Sequence, residues 1–97
     1  MHVISEKKLR EFWRKHPRAE LPLRKWLTQA NQARWRTFAD VRRDFPMADQ
    51  VGKLTVFDIG GNKFRLIAHL HFNRSKAYVR AVLTHSEYDQ DQWKKDA

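Results

Sequence analysis

The hydrophobic period of this 97-residue chain changes once, near residue 53. Before that point the apolar residues recur at helical spacing, and after it they alternate. Such a division predicts an α+β fold: an N-terminal helical hairpin packed on one face of a small, mainly antiparallel β-sheet. In the first half, Leu9, Phe12, Trp13 and His16 fall at i, i+3, i+4 and i+7. Ser5 is expected to cap this helix and Pro17 to end it. Pro22 sits in the opening turn of a second helix, whose stripe is Leu23, Trp26, Leu27, Ala30 and Ala33 or Arg34. A short third helix is expected from a Thr37 cap to the stop at Phe45-Pro46, with residues 46–53 as loop.

In the second half, Leu54–Ile59, Lys63–Phe72 and Lys76–Thr84 read as strands. Gly60-Gly61-Asn62 and Asn73-Arg74-Ser75 read as the turns between them. Met1–Ile4 is short and apolar, and is expected to add an edge strand to the same sheet. Pairing Phe72 with Ala77 places His71 opposite Tyr78, His69 opposite Arg80, Ile67 opposite Val82 and Arg65 opposite Thr84, while the first hairpin sets Asp58 opposite Arg65. This register predicts one apolar face against the helices. Asp58, Arg65, His69, His71, Tyr78 and Arg80 then share the other, which nothing obvious covers. Thr84-His85-Ser86-Glu87 fits a capping box and starts a terminal helix, with His85 in its first turn and Trp93 packing back.

The length allows one domain over residues 1–97. The absence of Cys excludes disulfides, thiolate zinc sites and a cysteine nucleophile. No apolar run approaches a membrane span, and the first residues lack a signal-peptide pattern, so no membrane partner and a cytoplasmic location are expected. Twenty Lys+Arg against eleven Asp+Glu give a net charge of +9, the footprint of a protein that meets a phosphate polymer. The charge is uneven. Residues 1–53 carry thirteen cations and six acids, residues 54–97 seven and five. The helical half therefore reads as a docking surface.

The chain has no phosphate-binding loop, dinucleotide fingerprint, zinc-protease motif or calcium loop, and it implies no cofactor. His69 and His71 share a strand face, but no third ligand is evident, so no metal is expected. Arg65, His85 and Tyr88 form the candidate catalytic group. Cleavage of RNA by its own 2′-OH needs a base, an acid and fixed positive charge for the phosphorane, and an imidazole, a phenol and a guanidinium supply that inventory. Lys63, His69, His71, Tyr78 and Arg80 are the candidate RNA-binding residues. Each also has a plainer use: an ion pair with Asp58 for Arg65, a helix start for His85, packing for Tyr88.

The segments Val56–Ile67, Tyr78-Val79-Arg80 and Leu83–Asp89 resemble the HigB family of bacterial type II toxins, within the RelE/ParE superfamily. His2–Ser5 and Trp35 to Phe45-Pro46 also fit, so the resemblance spans nearly the whole chain. It implies a RelE-like fold and a metal-independent endoribonuclease, an mRNA interferase acting on mRNA in the ribosome. It also implies a HigA-type antitoxin with a helix-turn-helix domain, and operator DNA reached only through that antitoxin. Arg65, His85 and Tyr88 match the places of RelE-like site residues. The chain departs from the pattern on the strand before Arg65, where Val56 and Asp58 stand in place of lysines. Lys53 and Lys63 are the nearby substitutes, and the general base is left open among His85, Tyr88 and a histidine of the strand face. Two other readings fit the composition: a ParE-like gyrase poison without catalysis, and a basic RNA-binding module.

Overall fold

A computed structural model describes residues 1–96. Five strands form one sheet in the order β1-β5-β4-β3-β2: β1 (His2–Ile4), β2 (Asp49–Val51), β3 (Leu54–Ile59), β4 (Phe64–His71) and β5 (Lys76–Thr84). All pairs are antiparallel except β1, which runs parallel to β5 at the edge. Helices α1 (Glu6–Lys15), α2 (Glu20–Gln32) and α3 (Phe38–Asp44) precede the sheet's long strands, and α4 (His85–Asp89) follows them.

The main core lies between helices and sheet. Leu9, Leu23, Trp26 and Ala30 from the helices meet Phe57, Leu66, Ala68 and Val79 from the strands, all essentially without exposure. Burying side chains of this size contributes roughly 1.5–3 kcal/mol each, and so fixes which face of each helix turns inward. Trp26 and Phe57 meet edge to face at 5.3 Å, and Trp35 stacks on Phe57 at 6.0 Å.

Three local expectations are corrected. Ser5 does precede α1, but in the left-handed region (φ 76°) and with no side-chain cap bond; its carbonyl, not its hydroxyl, accepts from the first turn of α1, at Lys8 N (3.0 Å). Residues 46–53 are not all loop, because Asp49–Val51 adds an edge strand to β3. The β4–β5 register also differs. Phe72–Arg74 wind into a 3₁₀ turn and Ser75 adopts φ 53°, so pairing starts at His71 with Lys76. His69 then faces Tyr78, and an irregularity between Ile67 and Ala68 leaves Arg80 as the extra residue. Beyond this bulge Arg65 pairs with Leu83, and Phe64 with Thr84.

The bulge exchanges the two faces of β5, since one extra residue reverses a period of two. Ala77 and Val79 face the helices before it, while Ala81 and Leu83 face away after it. They join Leu54, Val56 and Ile67 in a second apolar cluster, closed by Tyr88 and buried Trp93. The outer face is therefore not bare as the alternation predicts: α4 and the 3₁₀ turn Gln92–Asp96 cover the Arg65 end, and the His69 end stays open. No helix of the described residues is long and apolar enough to cross a membrane.

Candidate active site

The β3–β4 hairpin places Arg65. Its turn needs positive φ at Gly60 (63°) and Gly61 (73°), which glycine adopts without a Cβ penalty. Asp58 and Arg65 are then direct partners across the ladder, as the hairpin predicts. Nε of Arg65 lies 3.2 Å from Oδ1 of Asp58, and Nη1 donates to the carbonyls of Asn62 (2.8 Å) and Phe64 (3.2 Å). The side chain is only 12% exposed. Three contacts thus fix a cation whose Nη2 edge has no hydrogen-bond partner among the described residues.

Thr84 places the rest. Its hydroxyl accepts from Glu87 N (3.2 Å), and the Glu87 carboxylate accepts from Thr84 N (2.9 Å), completing the capping box that the sequence predicts. Such a cap is worth about 1 kcal/mol and starts α4 directly off the strand end. Tyr88, one turn on, reaches back so that the Arg65 guanidinium carbon sits 5.1 Å from its ring centroid. Trp93 stacks on the same ring at 5.0 Å and 13°, and donates from Nε1 to the Tyr88 carbonyl. Burial pushes the Tyr88 phenol above its usual range; Arg65 opposes the shift, and Asp49 and Asp58 add to it. At neutral pH this phenol is therefore an O–H donor and not a base.

His85 stands apart from that stack. Its Nδ1 lies 3.0 Å from Oδ2 of Asp89, both side chains are more than half exposed, and none of its hydrogen bonds or ion pairs among the described residues is with Arg65. The expected pairing of Arg65 with Thr84, which would have put His85 beside the guanidinium, is displaced by one residue. An Nδ1–H donated to Asp89 leaves Nε2 as the ring nitrogen available for proton transfer. Sequence reasoning did not single out Asp89 as that partner, although the i,i+4 spacing was its signal.

On the open end of the outer face, the His69 and His71 rings lie 4.2 Å apart and His71 meets Tyr78 at 4.9 Å. Burial lowers the His69 pKa, with His71, Arg80 and Lys53 adding positive charge nearby. His69 is thus neutral at pH 7 and able to accept a proton. Lys63 is exposed in the hairpin turn, and Arg80 is exposed at the bulge. No three His, Cys, Asp or Glu side chains among the described residues are grouped to hold a metal.

Residues 19–91 match the family model described as HigB_toxin, RelE-like toxic component of a toxin-antitoxin system. The chain belongs to the HigB toxin family. It is 32% identical over 93 residues to the mRNA interferase HigB of Escherichia coli O6:H1, covering 93% of this chain and 90% of the relative. It is also 32% identical over 92 residues to the mRNA interferase toxin HigB of Escherichia coli K12 and to the mRNA interferase HigB of Shigella flexneri, covering 92% of this chain and 88% of each. Arg65, His85, Asp89 and Tyr88 of this HigB-family toxin all lie inside the matched segment. As a member of the family it is the toxic half of a toxin–antitoxin pair.

Proposed function

We propose that this HigB-family toxin is an mRNA interferase that cuts messages on the translating ribosome, in the cytoplasm, until a HigA-type antitoxin binds it. The antitoxin would carry a helix-turn-helix domain, and operator DNA would be met only through it. The observation that carries the reading is the Arg65–Tyr88 stack at the strand end that also starts the His85 helix. It joins a fixed cation and a neutral phenol, with the His85 imidazole standing apart on the same short helix, and the relatives named above are called mRNA interferases.

The step is written as attack by the message's own 2′-oxygen. A base removes the 2′ proton, the 2′-O–P bond forms, the P–O5′ bond breaks, and an acid returns a proton to the leaving 5′-oxygen. Arg65 offers its Nη2 edge to the equatorial oxygens of the phosphorane. Tyr88, held protonated, orients the 2′-OH or donates to the leaving oxygen. Nε2 of His85, with Asp89 behind it, carries the proton the other way, and His69 is the second candidate for that task. Lys63, His71, Tyr78 and Arg80 bind the flanking nucleotides, Tyr78 by stacking. Every role falls to a side chain, so no metal enters the scheme.

Mapping 5′ ends of messages in cells expressing the chain tests this. New ends within open reading frames, lost with Arg65→Ala and with His85→Ala, are expected. Intact messages with gyrase-linked DNA breaks would instead support a ParE-like poison. Growth arrest that survives both substitutions would remove this site assignment.

A further inference from the structure

The broadest groove described on the molecule, about 790 Å³, lies far from Arg65. Its walls come from three separated stretches: the chain start, the end of α2 with the linker to α3, and the β4–β5 connection. Arg34, Arg36 and Arg74 converge on it, all exposed. Asn31, Gln32 and Ser75 add amide and hydroxyl donors, and no Asp or Glu lines it. None of the three guanidinium groups forms a salt bridge among the described residues. Asp40 accepts from the Arg36 backbone N–H (2.9 Å) while its own salt bridge is to Arg43, and Lys7, Arg10 and Arg24 are likewise each paired with an acid four residues away on their own helix. The negative end of α2 is covered as well, since the Met1 amino group donates to the carbonyls of Ala30, Asn31 and Ala33. That leaves a groove of one sign, which draws an anion.

We infer that this groove docks the phosphate backbone of folded ribosomal RNA, and so holds the toxin on the ribosome while the Arg65 site reaches the message. The inference rests on the ribosome reading above. Two observations separate the groove's ligand from the strand being cut. Lys76 and Leu83, at the two ends, are seven residues apart on β5, or roughly 23 Å at the usual rise. The groove's Asn31–Arg36 wall also belongs to the helical layer, on the side of the sheet opposite Arg65, so a strand lying on the outer face would have to wrap around edge strand β1. A protein ligand fits less well. Met1 and Trp35 in the lining are buried, and the groove offers no exposed apolar anchor of the kind protein interfaces are built on. Guanidinium forks and polar donors are what a phosphate backbone requires.

The test measures binding of the full chain to purified, message-free ribosomes at several KCl concentrations. The triple variant Arg34→Gln/Arg36→Gln/Arg74→Gln is compared with Arg14→Gln/Lys15→Gln/Arg18→Gln, which removes equal charge from α1 and the turn after it. The groove variant is expected to bind at least about tenfold more weakly and to flatten the log K against log salt slope by about two to three, near one per lost phosphate contact. The control is expected to keep most of the wild-type slope. Equal losses in both variants would reduce the effect to net charge and overturn the inference, as would no loss in the groove variant. Lost antitoxin binding with unchanged ribosome binding would assign the groove to an acidic protein, and also overturn it. Should the triple variant melt early, single substitutions read the same slope in steps of about one. Messages cut by a wild-type chain that does not bind ribosomes would remove the docking and leave the cutting. Ribosome binding through the groove without any cut message would do the reverse.

Discussion

Replacing Asp58 by Asn is expected to weaken the fold and strengthen the cut. The carboxylate lies 3.2 Å from Nε of Arg65, with the two side chains 27% and 12% exposed. An exposed ion pair contributes about 0–1 kcal/mol, and breaking a fully buried one costs about 3–5 kcal/mol. This pair lies between those limits. Arg65 keeps the Asn62 and Phe64 carbonyls and the Tyr88 ring, and the amide that replaces the carboxylate can still accept from Nε. A loss of about 1–2 kcal/mol follows, which in a domain near 100 residues lowers Tm by about 4–16 °C. The same change removes a negative charge beside the group proposed to face the phosphorane. If Asp58 screens Arg65 by even about 1 kcal/mol in the transition state, cleavage rises about fivefold. Thermal melting by circular dichroism reads the first effect, and single-turnover cutting of a defined message in a purified translation reaction reads the second. A D58N protein that melts like the wild type yet cuts as poorly as R65A would refute the reasoning, since Asp58 would then be aiming Arg65 and not restraining it.

Tyr88→Phe keeps the stack on Trp93 and Arg65 but removes the proton, so cutting should fall about 100-fold while Tm moves little; Tyr88→Ala should also cost roughly 2 kcal/mol in melting. Because burial holds the folded pKa of His69 below the ordinary histidine value near 6.5, its contribution to stability is full above that value and is lost as pH falls below it. His69→Gln should therefore narrow the gap between melting temperatures measured at pH 5.5 and pH 7.5, and an unchanged gap would place the protonation elsewhere. Thr84→Ala removes the cap of α4 and should cost about 1 kcal/mol, with a larger loss in cutting than that instability explains, compared through message-end yields at a temperature where the variant stays folded.

Much of this was legible in the chain because single residues decide it locally. Thr37 and Thr84 each stand three residues before an acid, and both form the capping box that spacing announces. Gly60-Gly61 could hardly be other than a turn, and that turn alone sets Asp58 against Arg65. Where expectation failed, the deciding energy was not local. Ser75 takes a left-handed φ that its side chain does not advertise, and so moves the start of pairing. Asp49–Val51 becomes a strand because β3 offers it an edge, since Asp49 and Gln50 carry little β propensity of their own. His85 and Arg65 fail to meet for the same cause: the longer β4–β5 connection moves the register by two residues from an ideal hairpin, and the bulge takes back only one of them.

That bulge is also what allows the site to exist. With unbroken alternation, Ala81 and Leu83 would face the helices, and Val82 and Thr84 would face outward with Arg65. The outer face near Arg65 would then hold Leu54, Val56, Ile67 and Val82 as its apolar seat, without Leu83. The extra residue at Arg80 turns Ala81 and Leu83 outward, enlarging the seat on which Tyr88 and Trp93 rest. A short helix of five residues has little stability alone. Its burial on this seat is what keeps Tyr88 over the Arg65 guanidinium. The same residue count pushes Arg80 out into solvent, beside the open histidine end of the face. One inserted residue thus supplies the support for the proposed reacting corner, while Arg80 itself remains an exposed cation at the histidine end.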